Sequence, residues 1–219
     1  MNKYGWAAIV GILLLLSLVV WLGPDEQTLG SGIKSVYLHV GLTWAGMVGL
    51  GAAALLGLGI FATGRLAWMR WLQIVGGAST AVYGAGIAMS MVASQINWGG
   101  ILLQEPRMSA ALNGLAVALI VQVLLAWLPP TRASGLLPIL LWGLILWLNG
   151  QAALVLHPPN PVRTTESDRI QFTFLAVFIL FSLMLVWLIW FIQKTFPAHH
   201  QQNQETSGKP ATILTRKEP

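Results

Sequence analysis

The sequence predicts an all-α polytopic membrane protein, a bundle of six transmembrane helices with both termini cytoplasmic. Three observations lead there. Of 219 residues, 56% are hydrophobic and only 9% are charged, against roughly 25% charged in a soluble domain. The mean hydropathy is +0.70, and so few charges cannot cover a water-facing surface. Six apolar runs of about membrane length recur along the chain, with most charged residues gathered between them and in the tail. The net charge of +5 does not point to nucleic acid, because the excess sits in short loops and a tail, where it sets membrane orientation. The absence of cysteine excludes disulfides, thiolate metal sites and thiol chemistry by this chain. Eleven tryptophans fit belts at the two membrane interfaces.

The first run, Ala7 to Leu22, follows one lysine, Lys3, and reads either as a signal peptide or as an uncleaved helix. The uncleaved helix is favoured, because the run is nearly span length and no small-x-small cleavage site follows it. Gly23-Pro24-Asp25-Glu26 ends it. The second span runs from Ser35 to Phe61, with Ala45, Gly49, Ala53 and Gly57 forming a small-residue stripe that admits a neighbouring helix. The third runs from about Leu72 to Ser94, with a second stripe at Gly76, Thr80, Gly84 and Ala88. The fourth runs from about Met108 to Leu128 and the fifth from about Leu136 to Leu156, with Pro138 in a first turn that tolerates it. The sixth runs from about Phe172 to Ile192. Residues 1–196 thus form one membrane domain, and residues 197–219 a polar tail expected to be disordered in the cytoplasm.

Six spans put Lys3, Arg65, Arg70, Arg132, Lys194, Lys209, Arg216 and Lys217 on one side and Lys34, Arg107, Arg163 and Arg169 on the other. Eight against four places both termini in the cytoplasm. Three separate features then meet at the outer face: His39 near the start of the second span, the stretch Trp98 to Leu112 between the third and fourth, and His157 at the end of the fifth.

A histidine inside a span is costly and normally has a partner. His39 and His157 read either as ligands of a metal such as haem iron or as hydrogen-bond partners of a carbonyl or interfacial water. Glu105 and Arg107 also read two ways. They form an ion pair or a helix start, with Glu105 beside Pro106 at the first turn, or Arg107 presents its planar fork to a ligand carboxylate. His199 and His200 lie in the tail and read as solvated. Gln73, Gln95, Asn97, Asn113, Gln122 and Asn149 read as interhelical hydrogen bonders. No nucleophile or acid–base pair stands out, so the chain is not expected to be an enzyme.

The order of these features resembles the CcmC/CcsA group, the tryptophan-rich haem-handling membrane proteins of cytochrome c maturation. Lys34 to Trp44, KSVYLHVGLTW, is similar to the family segment carrying its first ligand histidine, with Trp44 five residues after His39. Trp98 to Ser109, WGGILLQEPRMS, aligns without gaps to the family pattern W-G-x-W-W-x-W-D-x-R-x-[ST]. Trp98, Gly99, Arg107 and Ser109 match it, and Glu105 stands for the aspartate. Leu156-His157 resembles the segment bearing the second ligand histidine. The likeness covers about Lys34 to Trp190. Where the family has three further tryptophans, this chain has Ile101, Leu102 and Gln104, which offer a porphyrin less contact area and no stacking.

The resemblance implies a haem-binding, haem-delivering protein of the bacterial inner membrane. A non-covalent b-type haem would be held at the outer face by His39 and His157 as axial ligands, with Trp44, Trp98 and Glu105 around it and Arg107 at a propionate. The implied partners are a haem chaperone, subunits of an ATP-binding cassette transporter, apocytochrome c indirectly, and the lipid bilayer. The competing expectation is a haem-free paralogue acting as a scaffold subunit of an assembly or transporter complex. A small-solute permease fits less well, because no inverted repeat or pair of broken helices is visible.

Overall fold

A bilayer interior offers the backbone no hydrogen-bonding partner, so an apolar run crossing it must satisfy its own amides as helix. The structure, a computed structural model, describes residues 3–153 and 167–195, and within them every apolar run is helical, with no β-strand. The helices are α1 (Lys3–Leu22), α2 (Ile33–Thr63), α3 (Met69–Trp98), α4 (Pro106–Trp127), α5 (Leu136–Gln151) and α6 (Asp168–Thr195). Short 3₁₀ turns precede α3, at Leu66–Trp68, and α5, at Arg132–Gly135. Each helix, α5 together with its preceding turn, is long and apolar enough to span a membrane.

The boundaries differ from the apolar runs in a consistent way. α3 extends three residues before Leu72 and four beyond Ser94, because helix continues past the apolar segment through polar residues such as Arg70, Gln95 and Asn97. α5 instead ends at Gln151, short of Leu156, where Ala152 turns to extended backbone (φ −67°, ψ 121°). His157, the loop after it and the tail lie outside the described residues.

α2 and α3 form the centre. Their axes approach where side chains are smallest. A Cβ added to Gly46 would fall 2.6 Å from Tyr83 Cα, and one added to Gly86 would fall 2.7 Å from Thr43 N. Backbone therefore lies against backbone along this seam, the close packing that drives helix association in lipid. α6 lies along one side of the pair. A Cβ at Gly41 would meet Val177 Cγ1 at 2.7 Å, and the Tyr37 ring stands edge-on to Phe174 at 4.7 Å. α4 and α5 cover the other side through Leu50, Leu72, Tyr83, Val121 and Ile145. α1 is peripheral and leans on α6, where Trp187 Nε1 donates to Gly5 O at 2.9 Å.

The α2 stripe faces three different neighbours. Gly49 meets Ser79 of α3 and Leu185 of α6, and Gly57 meets Gly135 and Pro138. The α3 stripe points mainly at α4, with Gly76 against Gln122 and Gly84 against Leu115, while Ala88 is exposed. The α3 surface that receives α2 is instead Ser79, Tyr83 and Gly86.

Charges divide between the two ends. At one end Arg132 donates to the carbonyls of Phe61 and Ala62, the unsatisfied C-terminal acceptors of α2. Arg70 Nη2 reaches Gln193 O of α6 at 3.2 Å, and Arg65 lies over the Trp68 ring at 5.9 Å. All four carboxylates among the described residues, Asp25, Glu26, Glu105 and Asp168, fall at the opposite end. Exposed tryptophans mark both ends, Trp6, Trp71 and Trp127 at the first and Trp21, Trp98 and Trp147 at the second, as interfacial belts do.

The α1–α2 loop at the acidic end is held by Tyr37, whose hydroxyl donates to Pro24 O at 2.9 Å, and by Glu26. The Glu26 carboxylate accepts from Thr28 N and Leu29 N, both at 2.8 Å. The Leu29 amide, with smaller help from Thr28 and Gln27, outweighs desolvation and holds its pKa below the usual 4.5. A depressed carboxylate contributes stability that is present above its unfolded value and is lost as pH falls through the folded one. A carboxylate-carbon NMR titration in micelles should give Glu26 a midpoint below 4.5. Glu26→Gln should abolish the acid-induced loosening of this loop.

The α2–α3 seam makes a second prediction. Gly86→Leu should cost about 1–3 kcal/mol by overpacking, read as a lower midpoint in detergent unfolding. Gly77→Ala, at a helical position with nothing within 4 Å, should be neutral or stabilising by up to about 1 kcal/mol.

Candidate functional site

His39 sits six residues into α2 at the acidic end, half buried. Its Nδ1 lies 3.0 Å from Gly86 O on α3. A carbonyl only accepts, so Nδ1 is the donor of this bond. Thr43 braces the ring from one turn on, donating its hydroxyl to His39 O at 2.8 Å and lying 3.4 Å from Nδ1. Gly86 thus serves twice: its missing side chain admits Thr43, and its carbonyl fixes the imidazole.

The stretch after α3 is an ordered turn pinned at each end. Gly99 adopts left-handed backbone (φ 73°) and its amide closes α3 on Gln95 O at 3.1 Å. Ser94 Oγ donates to Gly100 O at 2.6 Å, and Ser109 Oγ to Leu103 O at 3.0 Å. Glu105 is the N-cap of α4. It is buried at 8% exposure, Pro106 follows at the first helical position, and Oε2 accepts from Met108 N at 2.7 Å. The helix-start reading of Glu105 is therefore the one observed, and it makes no ion pair with Arg107. Arg107, half buried in the first turn of α4, makes no hydrogen bond or ion pair with a described residue.

This turn is joined to α2 by Asn97, whose Nδ2 lies 3.2 Å from Ser35 Oγ and 3.4 Å from Gly32 O. His39, Glu105, Arg107 and Trp98 consequently share one end of the bundle. Trp98 closes α3 with 41% of its surface exposed, and Ile101, Leu102 and Leu103 are exposed beside it. Trp44 turns elsewhere: its ring stands edge-on to Phe178 of α6 at 6.3 Å. His157 lies outside the described residues, and among those described no three His, Asp or Glu side chains gather as a metal cage.

The polar residues divide in the same way. Asn97 bonds between helices, as does Gln73, whose Nε2 reaches Leu125 O of α4 at 2.6 Å. Asn149 returns to Ile145 O of its own helix at 2.8 Å, and Gln95 and Asn113 are exposed. The carbonyl of Gly86 was not foreseeable, since every residue carries a carbonyl. The serines at 94 and 109 had a fainter signal, small hydroxyl residues within a few positions of a glycine turn.

No protein-family model matches the chain, and no curated protein matches it in sequence.

The cap predicts that Glu105→Ala will destabilise α4 by about 1 kcal/mol, measured by detergent unfolding. Glu105→Asp, which keeps an acceptor in reach of the Met108 amide, should recover much of the loss.

Proposed function

We propose that the protein binds haem at the acidic end of the bundle and presents it to an acceptor on the outer side of a bacterial inner membrane. In this reading the end rich in Arg65, Arg70, Arg132 and Lys194 faces the cytoplasm, following the distribution of basic residues. The observation that carries it is the His39 Nδ1–Gly86 O bond. Histidines that ligate metals donate their second ring N–H to a carbonyl or carboxylate, which fixes the tautomer and raises ligand basicity. The donor set suits haem rather than a bare divalent ion, because haem brings its own four nitrogens and asks the protein for axial ligands only.

The chain's residues have separate tasks here. His39 would be one of the two histidines that hold the iron, its ring fixed by Gly86 O and braced by Thr43. His157 would be the other. Arg107, half buried and unengaged by any described residue, meets a propionate with its planar fork. Glu105 positions Arg107 by fixing the start of α4. Trp98, Ile101 and Leu102 cover part of the ring. Bound haem would supply an iron that imidazoles can ligate and carboxylates that a cation can hold. Handing over the cofactor falls to partners, a haem chaperone or the subunits of an ATP-driven transporter.

One observation favours a second reading. Ile101, Leu102 and Leu103 form an exposed run, its first two residues standing where the resembled pattern has tryptophans, and an apolar projection at a membrane surface also suits docking of another protein. In that reading the chain is a haem-free scaffold subunit.

The visible spectrum of the purified protein, loaded with haem, separates the two. Haem handling predicts a Soret band with low-spin bis-histidine character, lost in the His39→Ala, His157→Ala double variant. Arg107→Ala should keep the band position but release haem severalfold faster to a competing apoprotein. A folded wild type that stays colourless in excess haem, or a double variant spectrally identical to it at equal haem content, overturns the haem reading.

A further inference from the structure

A second feature of the acidic end is independent of the haem reading. Because α1 leans on α6, its flank toward α2 stays open. An open groove of about 360 Å³ runs there, lined by Leu16, Ser17, Val20 and Trp21 of α1 and by Lys34 and Leu38 of α2. The walls are largely apolar, and the hydroxyl of Ser17 is turned back to Leu13 O at 2.9 Å. The polar features lie at one end, where the last turn of α1 faces the first turn of α2. Lys34 Nζ donates one hydrogen to Trp21 O at 3.1 Å. Asp25, 60% exposed, stands 3.8 Å from the same nitrogen, beyond hydrogen-bond reach. Trp21 is 72% exposed beside it, as an interfacial tryptophan is.

We propose that this groove is a specific site for a zwitterionic phospholipid with a primary-amine headgroup, its phosphate on Lys34, its ammonium at Asp25 and one acyl chain between α1 and α2. The groove is open-sided and largely apolar, which suits an acyl chain lying along it. Charge selects the headgroup. Lys34 and Asp25 form a plus–minus pair at the mouth, the complement of a phosphate followed by an ammonium. An anionic headgroup satisfies Lys34 but leaves Asp25 without a cationic partner from the lipid. A choline headgroup brings positive charge but no N–H for the Asp25 carboxylate. Glu26 is already occupied by Thr28 N and Leu29 N, so Asp25 is the carboxylate that meets the ammonium.

Native mass spectrometry of the full chain tests this, from micelles holding equal phosphatidylethanolamine, phosphatidylcholine and phosphatidylglycerol. The ethanolamine lipid should dominate the retained adducts. Lys34→Ala should lower that adduct about fivefold, the worth of one lysine at a membrane surface, and Lys34→Arg should restore it. Asp25→Asn should equalise the ethanolamine and choline lipids. Ser17→Phe, which fills the groove and leaves both charged residues in place, should remove the adduct while the unfolding midpoint stays near wild type. Equal retention of all three lipids, unchanged by Lys34→Ala and Ser17→Phe, would mark ordinary annular lipid and overturn the site. A preference for phosphatidylglycerol would overturn the headgroup assignment.

Discussion

The bundle depends on the contact between α2 and α3 at Thr43 and Gly46 on one side and Tyr83 and Gly86 on the other. In water, helices are driven together by expelling solvent from apolar faces. In lipid that force is absent, because the surrounding chains are as apolar as leucine, and dispersion at close range has to substitute. Dispersion falls steeply with separation, so it rewards a seam where a Cβ at Gly46 or Gly86 would fall under 3 Å from the partner's backbone. The same seam brings His39 within 3.0 Å of a main-chain acceptor on α3. Closeness of the two backbones is thus a packing device and also the means by which a polar ring is tolerated inside a span.

The six spans were legible because each is a run of apolar residues far longer than a buried soluble strand or helix needs. Their ends were less so. Hydropathy stops at Leu72 and Ser94, while the backbone of α3 continues to Met69 and Trp98, carried by polar residues that reach the headgroup region. Small-residue spacing identified faces without identifying neighbours. Gly76 and Gly84 mark the surface for α4, and Gly86, outside that stripe, marks the one for α2. Periodicity gives direction around a helix axis; which helix occupies that direction is set by the whole bundle.

The candidate site was legible in part for a related reason. Glu105 before Pro106 is a local capping signal, and the capping bond to Met108 N follows from it. His39 could be placed near the start of α2, yet its partner is a carbonyl 47 residues away, and a backbone atom leaves no trace in residue identity. Trp44 lies five positions from His39, which on a helix is a rotation of about 140°, and it faces α6. Proximity in sequence along a helix therefore separated two residues that the resemblance grouped together.

The peripheral place of α1 bears on how the chain is made. Its hydrogen bond to Trp187 joins residues 182 positions apart, and α6 is the neighbour it leans on. During synthesis α1 therefore enters the bilayer long before its docking surface exists. Until α6 arrives, α1 is held mainly at its last turn, where Trp21 O accepts from Lys34 Nζ of α2, and most of its length faces lipid. Its composition suits that exposure: no charged side chain lies between Tyr4 and Leu22, and the hydroxyl of Ser17 is bonded within its own helix. Most of the packing surface of the first helix made is thus supplied by the last.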